Sequence, residues 1–404
     1  MKNKKYLGLF FDFTIKENFN QFLIANEFML NKFVEVFGKI YIINVQSLKF
    51  FTNKDNNLDH ITDKLFKLPK NVEFFNPKNS SEFDKFMEQK DLVALRFFRN
   101  DFSLIKTLLL FKKYNIKQVI IANAGNVQYT LKSIQGFFWK GFLYKIEKIY
   151  THQIIVMLSN LKIIPKIDIK FLTNSKIEKY TKKKNIFNYL KLSQVKETML
   201  INSRSFDILK EDTSEINENQ IVLLDEMLNT PEWSSFRSQI NADQINEHYF
   251  KLKKLLRCLS NMYNKKIVIC LHPKDNLDEK KKLFEGFRVV QHKTRENIYK
   301  SFIVLFFETS AIIDAFLLRK KMITISSKVM DQNQIDGGMH YHDQAGVINI
   351  NIDQNLNLKK DDFLKQLDEA IKKYDSYINE YITPDGQQLG YKKVIKILKD
   401  KYFN

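Results

Sequence analysis

The sequence predicts a two-domain α/β protein with parallel sheets. Three observations point there. Short apolar runs alternate with longer amphipathic stretches from end to end, the signature of βαβ units. The rhythm is cleanest in the second half, where apolar runs end in polar residues able to do chemistry. The chain has 404 residues, 44% of them hydrophobic, too many for one average domain and enough for two cores.

In the first half, strands are expected near Tyr6–Phe11, Lys39–Asn44, Val72–Phe75, Leu92–Phe98, Gln118–Ala122, Ile167–Leu172 and Met199–Asn202. Helical periodicity fills the gaps, as at Phe19–Phe37 and Phe102–Tyr114. The opening Met1–Lys5 followed by Tyr6–Phe11 imitates a signal peptide. Asp12 stops the apolar run and no small-residue cleavage site follows, so a first strand is the better reading.

In the second half, Ile221–Leu224 is a strand ending in Asp225-Glu226, followed by a long helix from Ala242 to Tyr263. Ile267–Leu271 is the next strand and ends in His272-Pro273-Lys274; Phe287–Val290 is another. Ile298–Phe302 closes a helix, and Val304–Phe307 is a strand ending in Glu308-Thr309-Ser310. Ala311–Leu318 reads as helix and Met322–Ile325 as strand. A helical region from Phe363 to Leu398 is interrupted at Pro384-Asp385-Gly386. No low-complexity linker separates the halves. The polar stretch Lys210–Gln220 marks the boundary, giving domains 1–210 and 211–404, with the C-terminal helices in the second.

The formal charge of +19 favours a polyanionic partner, whether nucleic acid, anionic headgroups or phosphorylated substrates. Lysines placed beside Asn, Ile and Phe are also what an AT-rich genome produces, so the charge is weak evidence alone. Cys258 and Cys270 fall in apolar segments and are expected to be buried, reduced thiols without a disulfide framework. No stretch reaches the roughly 18 apolar residues of a membrane span. The segment Leu131–Ile155 mixes Phe137, Phe138, Trp139, Phe142 and Tyr144 with Lys132, Lys140, Lys145 and Lys148. That pattern suits an interfacial helix on anionic lipid or a core helix with a solvated basic face. Only 11 glycines occur, with no GxGxxG and no Walker loop, against standard dinucleotide and P-loop chemistry. No nucleic-acid module is recognisable.

In an open parallel sheet, ligands bind outside the carboxyl ends of the strands, where Asp225-Glu226, His272-Pro273 and Thr309-Ser310 would converge. Thr309 and Ser310 precede a helix and would either face an anion there or serve as an ordinary cap. His272, fixed by Pro273, can hydrogen-bond a phosphate or protonate a leaving group, with Lys274 adding charge. One carboxylate of Asp225 and Glu226 could act as general base, Asp225 being the better placed; Asp207 is a weaker candidate. The stretch Gly337–Asp343 holds His340, His342 and Asp343, but its spacing matches no structural zinc site. It reads as a ligand-side or solvent-exposed loop, with no metal site expected.

At these residues the second half resembles inverting bacterial glycosyltransferases of the GT-B fold that build surface polysaccharides. The likeness is to sialyltransferases and polysialyltransferases with paired-acid and His-Pro motifs, and it touches CDP-glycerol glycerophosphotransferases. It rests on Ile221–Glu226, Ile267–Lys274, Lys293-Thr294, Glu308–Ile312 and Lys321–Thr324. The paired acids are usually followed by Gly, where Met227 stands here. The resemblance implies two Rossmann-like domains facing across a cleft, the first taking the acceptor and the second the nucleotide donor. It implies Asp225 or Glu226 as base and His272 at the departing phosphate. It also implies Pro273, Lys274, Thr294, Thr309 and Ser310 as donor-phosphate or nucleotide contacts. The expected activity is transfer from a nucleotide-sugar donor, first a CMP-linked sialic or nonulosonic acid or Kdo, to a glycan or lipid-linked glycan, with no bound cofactor. The alternative is transfer of a polyol phosphate from a CDP-linked donor. The expected setting is cytoplasmic, with peripheral contact at the inner membrane face and no nucleic-acid partner. A non-catalytic basic protein that binds nucleic acid is the rival of another class.

Overall fold

The computed structural model describes residues 4–12, 27–48, 70–97, 102–122, 153–174, 194–212, 216–225, 241–273, 275–330, 332–355 and 358–404. The chain divides into two compact units, one formed by residues 1–123, 137–204 and 384–404, the other by 124–136 and 205–383.

The first unit holds a seven-stranded parallel sheet of β1 (Lys5–Phe11), β2 (Ile40–Asn44), β3 (Val72–Phe75), β4 (Asp91–Arg96), β5 (Lys117–Ala122), β6 (Ile167–Leu172) and β7 (Val195–Leu200). The spatial order is β3-β2-β1-β4-β5-β6-β7. The second unit repeats the plan in six strands: β8 (Gln220–Leu224), β9 (Lys266–Leu271), β10 (Arg288–Gln291), β11 (Ser301–Phe306), β12 (Lys321–Ser326) and β13 (Ile348–Asn351), in the order β10-β9-β8-β11-β12-β13. Each sheet grows outward from its first strand in one direction and then reverses, as doubly wound nucleotide-binding folds do. The central strands β2 and β8 are buried along their whole length, as a parallel sheet covered on both faces demands.

The helix Ala242–Tyr263 shows how local sequence places an element. Asn241 Oδ1 accepts from the Gln244 N–H at 2.9 Å while the Gln244 side chain accepts from the Asn241 N–H at 3.0 Å, a capping box worth about 1 kcal/mol. Asn264, left-handed at φ 49°, ends the helix. Between them Tyr249, Leu252, Leu255, Leu256 and Leu259 form one buried stripe against Ile221, Leu223, Ile267 and Ile269 of the sheet.

The chain returns to the first unit at its C-terminal end. Val394 and Leu398 of the helix Gly390–Leu398 pack with Leu7, Leu9 and Phe33. Asn202 ties down the approach: its amide donates to the carbonyls of Gly386 (2.6 Å) and Gln388 (2.8 Å), and its oxygen accepts from the Asp385 N–H (2.9 Å). Residues 384–404, expected with the second half, therefore pack on the first, and the Pro384-Asp385-Gly386 break is the crossing point.

Other expectations need correction. β7 begins four residues earlier than the apolar run at Met199–Asn202, and β13, in which isoleucines alternate with asparagines instead of forming a run, lies outside the expected strands; both are mostly half-buried and polar-rich. Ser301 and Phe302 start β11 instead of closing a helix. Gly337–Asp343 belongs to the helix Gln332–Ala345. Gly338 serves packing there, since a Cβ would lie 2.6 Å from Thr324 Oγ1. On this helix the His342 ring nitrogen meets the Val347 carbonyl at 2.8 Å, while the His340 ring packs on Tyr377 and Tyr381. Among the described residues no group of three His, Cys, Asp or Glu is placed to hold a metal ion, and no helix is long and apolar enough to cross a membrane. Of Leu131–Ile155, only 153–155 are described.

The two thiols also part ways. Cys270 is buried in β9, where burial pushes its thiol up to about 12, whereas Cys258 lies exposed on the helix Ala242–Tyr263. A thiol reagent at neutral pH should modify Cys258 in the native protein and reach Cys270 only after unfolding. Two rapidly labelled thiols under native conditions would contradict this placement of β9.

Candidate active site at the carboxyl edge of the second sheet

Strand order in the second unit reverses between β8 and β11, and ligands of such sheets bind outside the carboxyl ends at that point. Leu224 pairs with both Cys270 of β9 and Phe306 of β11, so Asp225, His272-Pro273 and Glu308–Ser310 leave adjacent strands on one edge. Thr294 opens the short helix Thr294–Tyr299 after β10. Glu226 and Lys274 lie outside the described residues.

Asp225 is not an open carboxylate. Its side chain is fully enclosed, and Lys280 Nζ donates to its Oδ2 at 2.5 Å. The same ammonium donates to Tyr249 Oη at 3.0 Å and lies 4.0 Å from Asp275. Burial alone would lower the Lys280 pKa; Asp225, Tyr249 and Asp275 outweigh it and hold the ammonium charged above the ordinary lysine range. Burial raises Asp275 despite opposition from Lys280 and the His272 backbone, and burial followed by the Asp225 charge raises the Tyr249 phenol. The cluster thus consists of one cation held between two carboxylates and a neutral phenol.

This cluster anchors the His-Pro segment. Asp275 N–H donates to the His272 carbonyl at 3.0 Å, closing a β-turn with Pro273 at its second position, where its fixed φ favours the turn. Gln291, the last residue of β10, clamps the same turn from outside. Its Nε2 lies within 3.1 Å of the carbonyls of His272 and Pro273 and 3.0 Å of that of Asp275. The backbone of His272 is held from two sides, and the residue is exposed at the carboxyl edge of the sheet.

On the β11 side, Thr309 Oγ1 accepts from the Ala311 N–H at 3.3 Å, and Tyr341 Oη donates to the Thr309 carbonyl at 3.4 Å. Ser310 is exposed. The helix these hydroxyls precede, Ile312–Leu317, starts after Ala311, so Thr309 orders the turn that leads into it. Thr294 is half-buried and Lys293 gives its helix no side-chain cap.

The first unit has its own reversal, between β1 and β4, marked by Asp12 and Arg96. Arg96 is fully buried and bonded to the Gln118 side chain; burial pulls its guanidinium down to about 9, with the charge of Asp12 opposing.

Sequence reasoning found the strand ends but missed Lys280, Tyr249, Asp275 and Gln291. A signal existed for Lys280: it shares a helical face with the apolar Leu277 and Phe284, an odd place for a solvated lysine. Gln291 ends an apolar run just as Asp225 and His272 follow theirs.

No family model matches the sequence, and no curated protein is significantly similar to it. Solved structures do share its architecture. A histidine-to-asparagine variant of the wall teichoic acid polymerase TagF superposes with a TM-score of 0.52 at 11% identity, over 98% of this chain and 88% of that one. The same variant soaked with CDPG gives a TM-score of 0.50 at 11% identity, over the same shares. The UDP-GlcNAc 2-epimerase of Methanocaldococcus jannaschii, in complex with UDP-GlcNAc and UDP, covers 98% of this chain and 99% of that one at 13% identity. Its TM-score is 0.45. The chain therefore has the two-sheet α/β fold of GT-B proteins, as its motifs implied.

Lys280→Met should destabilise the second unit by about 3–5 kcal/mol, because it leaves buried carboxylates without their cation. Asp225→Asn in that background should recover part of the loss. Urea melts of the single and double variants measure both. A cost below about 1 kcal/mol, the value of an exposed pair, would show that Lys280 is not enclosed with Asp225.

Proposed function

We propose that this protein transfers a polyol phosphate from a CDP-linked donor to an acceptor hydroxyl in the assembly of a surface polymer. The observation that carries the reading is an exposed His272, backbone-clamped at the edge where a doubly wound sheet receives phosphates, on a fold shared with a wall teichoic acid polymerase. A CMP-linked sialic acid, nonulosonic acid or Kdo as donor, the first expectation from the sequence, gains no support from these neighbours. The CDP-linked alternative fits them better.

In this reading the acceptor oxygen attacks the phosphorus of the polyol phosphate. A P–O bond forms to the acceptor, and the P–O bond to CMP breaks. His272 contacts the departing phosphate and supplies its proton. Asp225 is engaged with Lys280 and enclosed, which makes it a poor base; its role is to hold the edge together. The neighbouring carboxylate, Glu226, is the remaining candidate to take the acceptor proton. Pro273 sets the turn, while Thr309, Ser310 and Thr294, with Lys274, are the groups offered to the donor phosphates and nucleotide.

The test is a thermal-shift comparison of CDP-glycerol, CMP-sialic acid and UDP-GlcNAc, followed by CMP release. A ligand that binds only the native state raises the melting temperature. CDP-glycerol should give the largest rise. His272→Ala should cut CMP release by roughly 10²–10⁴-fold, the scale of a lost proton-transfer group, without lowering the melting temperature. Stabilisation by CMP-sialic acid alone, or undiminished turnover in His272→Ala, would overturn the proposal.

A further inference from the structure

A second cationic site lies at the opposite edge of the same sheet, at the amino ends of β9 and β10. It is a cleft of about 380 Å³ lined by Arg257, Ser260, Lys266, Phe287 and Arg288, among others, with no carboxylate in its lining. Lys266 lies six residues before His272 along β9, so this cleft sits about 20 Å along the strand from it and is separate from the edge described above.

Three features make it more than a stretch of basic surface. First, its cations are two arginines and a lysine, in a chain that contains only eight arginines among its 65 basic residues. The compositional bias that explains the lysines does not place two arginines together. Second, these arginines have no acidic partner among the described residues, unlike Arg295 and Arg319, which pair with Asp314 and Asp375. Glu296, whose carboxylate feels the Arg288 charge, is itself bonded to Lys300 at 2.8 Å. Third, the cleft is shaped. A turn closed by Phe287 N–H to the Phe284 carbonyl (3.0 Å), with Gly286 at φ +88°, presents Phe287 and Arg288 side by side. Arg257 lies 5.7 Å over the Phe287 ring, held in place without losing its N–H groups to a protein acceptor.

We infer that this cleft binds a phosphate group. Forked guanidinium donors match phosphate bidentately. A lone carboxylate, with one negative charge, would leave two of the three cations uncompensated, whereas a phosphomonoester carries close to two charges at neutral pH. The phosphate is carried either by a soluble phosphorylated molecule or by a phosphomonoester lipid headgroup. The inference does not rest on the transferase reading.

The test compares wild type, Arg257→Gln/Arg288→Gln and the control Lys281→Gln/Lys282→Gln, whose lysines are exposed on the neighbouring helix Leu277–Leu283. Inorganic pyrophosphate is titrated by calorimetry, and vesicles of phosphatidylcholine with phosphatidic acid are tested by co-sedimentation. Melting temperatures should be equal for all three proteins. The arginine pair should weaken pyrophosphate binding, vesicle binding or both by at least tenfold, while the lysine control stays within about twofold, as expected when forked donors rather than diffuse charge do the binding. Loss confined to pyrophosphate assigns the site to soluble phosphates, and loss confined to vesicles assigns it to the lipid headgroup. Pyrophosphate held at the His272 edge would not respond to these arginines. Equal losses in both double variants, or no loss in the arginine pair with either probe, would overturn the inference.

Discussion

The second unit is organised around one buried ion pair, Asp225 with Lys280. Taking both charges out of water costs several kcal/mol per ion, a cost offset here by the direct Lys280–Asp225 bond and the second Lys280 bond to Tyr249. It joins the end of β8, the helix Ala242–Tyr263 through Tyr249, the turn at His272–Asp275 and the helix Leu277–Leu283. Hydrophobic packing would set these elements close together without fixing their register. The ion pair fixes it to within a hydrogen bond, at the point of the sheet where a ligand would arrive.

The consequence is a division of labour along the edge. Asp225 faces inward and holds, whereas His272 is exposed at the edge. Gln291 reinforces the arrangement: its amide reaches the carbonyls of Pro273 and Asp275 as well as that of His272, which already accepts from the Asp275 N–H. A loop that must position a reactive group gains from being tied at its backbone, because the position of the side chain's root is then fixed.

The sequence made the central strands legible because strands covered on both faces must be continuously apolar, as Ile221–Leu224 and Ile267–Leu271 are. It blurred two edge strands for the same reason: β7 and β13 are half-covered and carry Lys196, Glu197, Asn349 and Asn351, whereas the edge strands β3 and β10 keep short apolar runs. The Gly337-Gly338 pair read as loop because glycine usually breaks helices, yet here it admits the close approach of a helix to Thr324. Cys258 read as buried because its helix is apolar on one face, and it lies on the other. At the candidate site, position was readable and partnership was not. That Asp225 ends a strand follows from local pattern; that Lys280 meets it depends on a contact 55 residues away, hidden in a run of three lysines. The basic composition likewise obscured the difference between ornamental lysines and the two arginines that share a cleft.

The central claim is that the clamped His-Pro turn presents His272 to the donor phosphate. The most direct measurement is the imidazole NMR signal of His272, identified by its loss in His272→Asn, during titration with CDP-glycerol. The account predicts a saturable shift of that signal with the same midpoint as nucleotide binding. A His272 signal that stays unmoved while CDP-glycerol saturates the protein would contradict it.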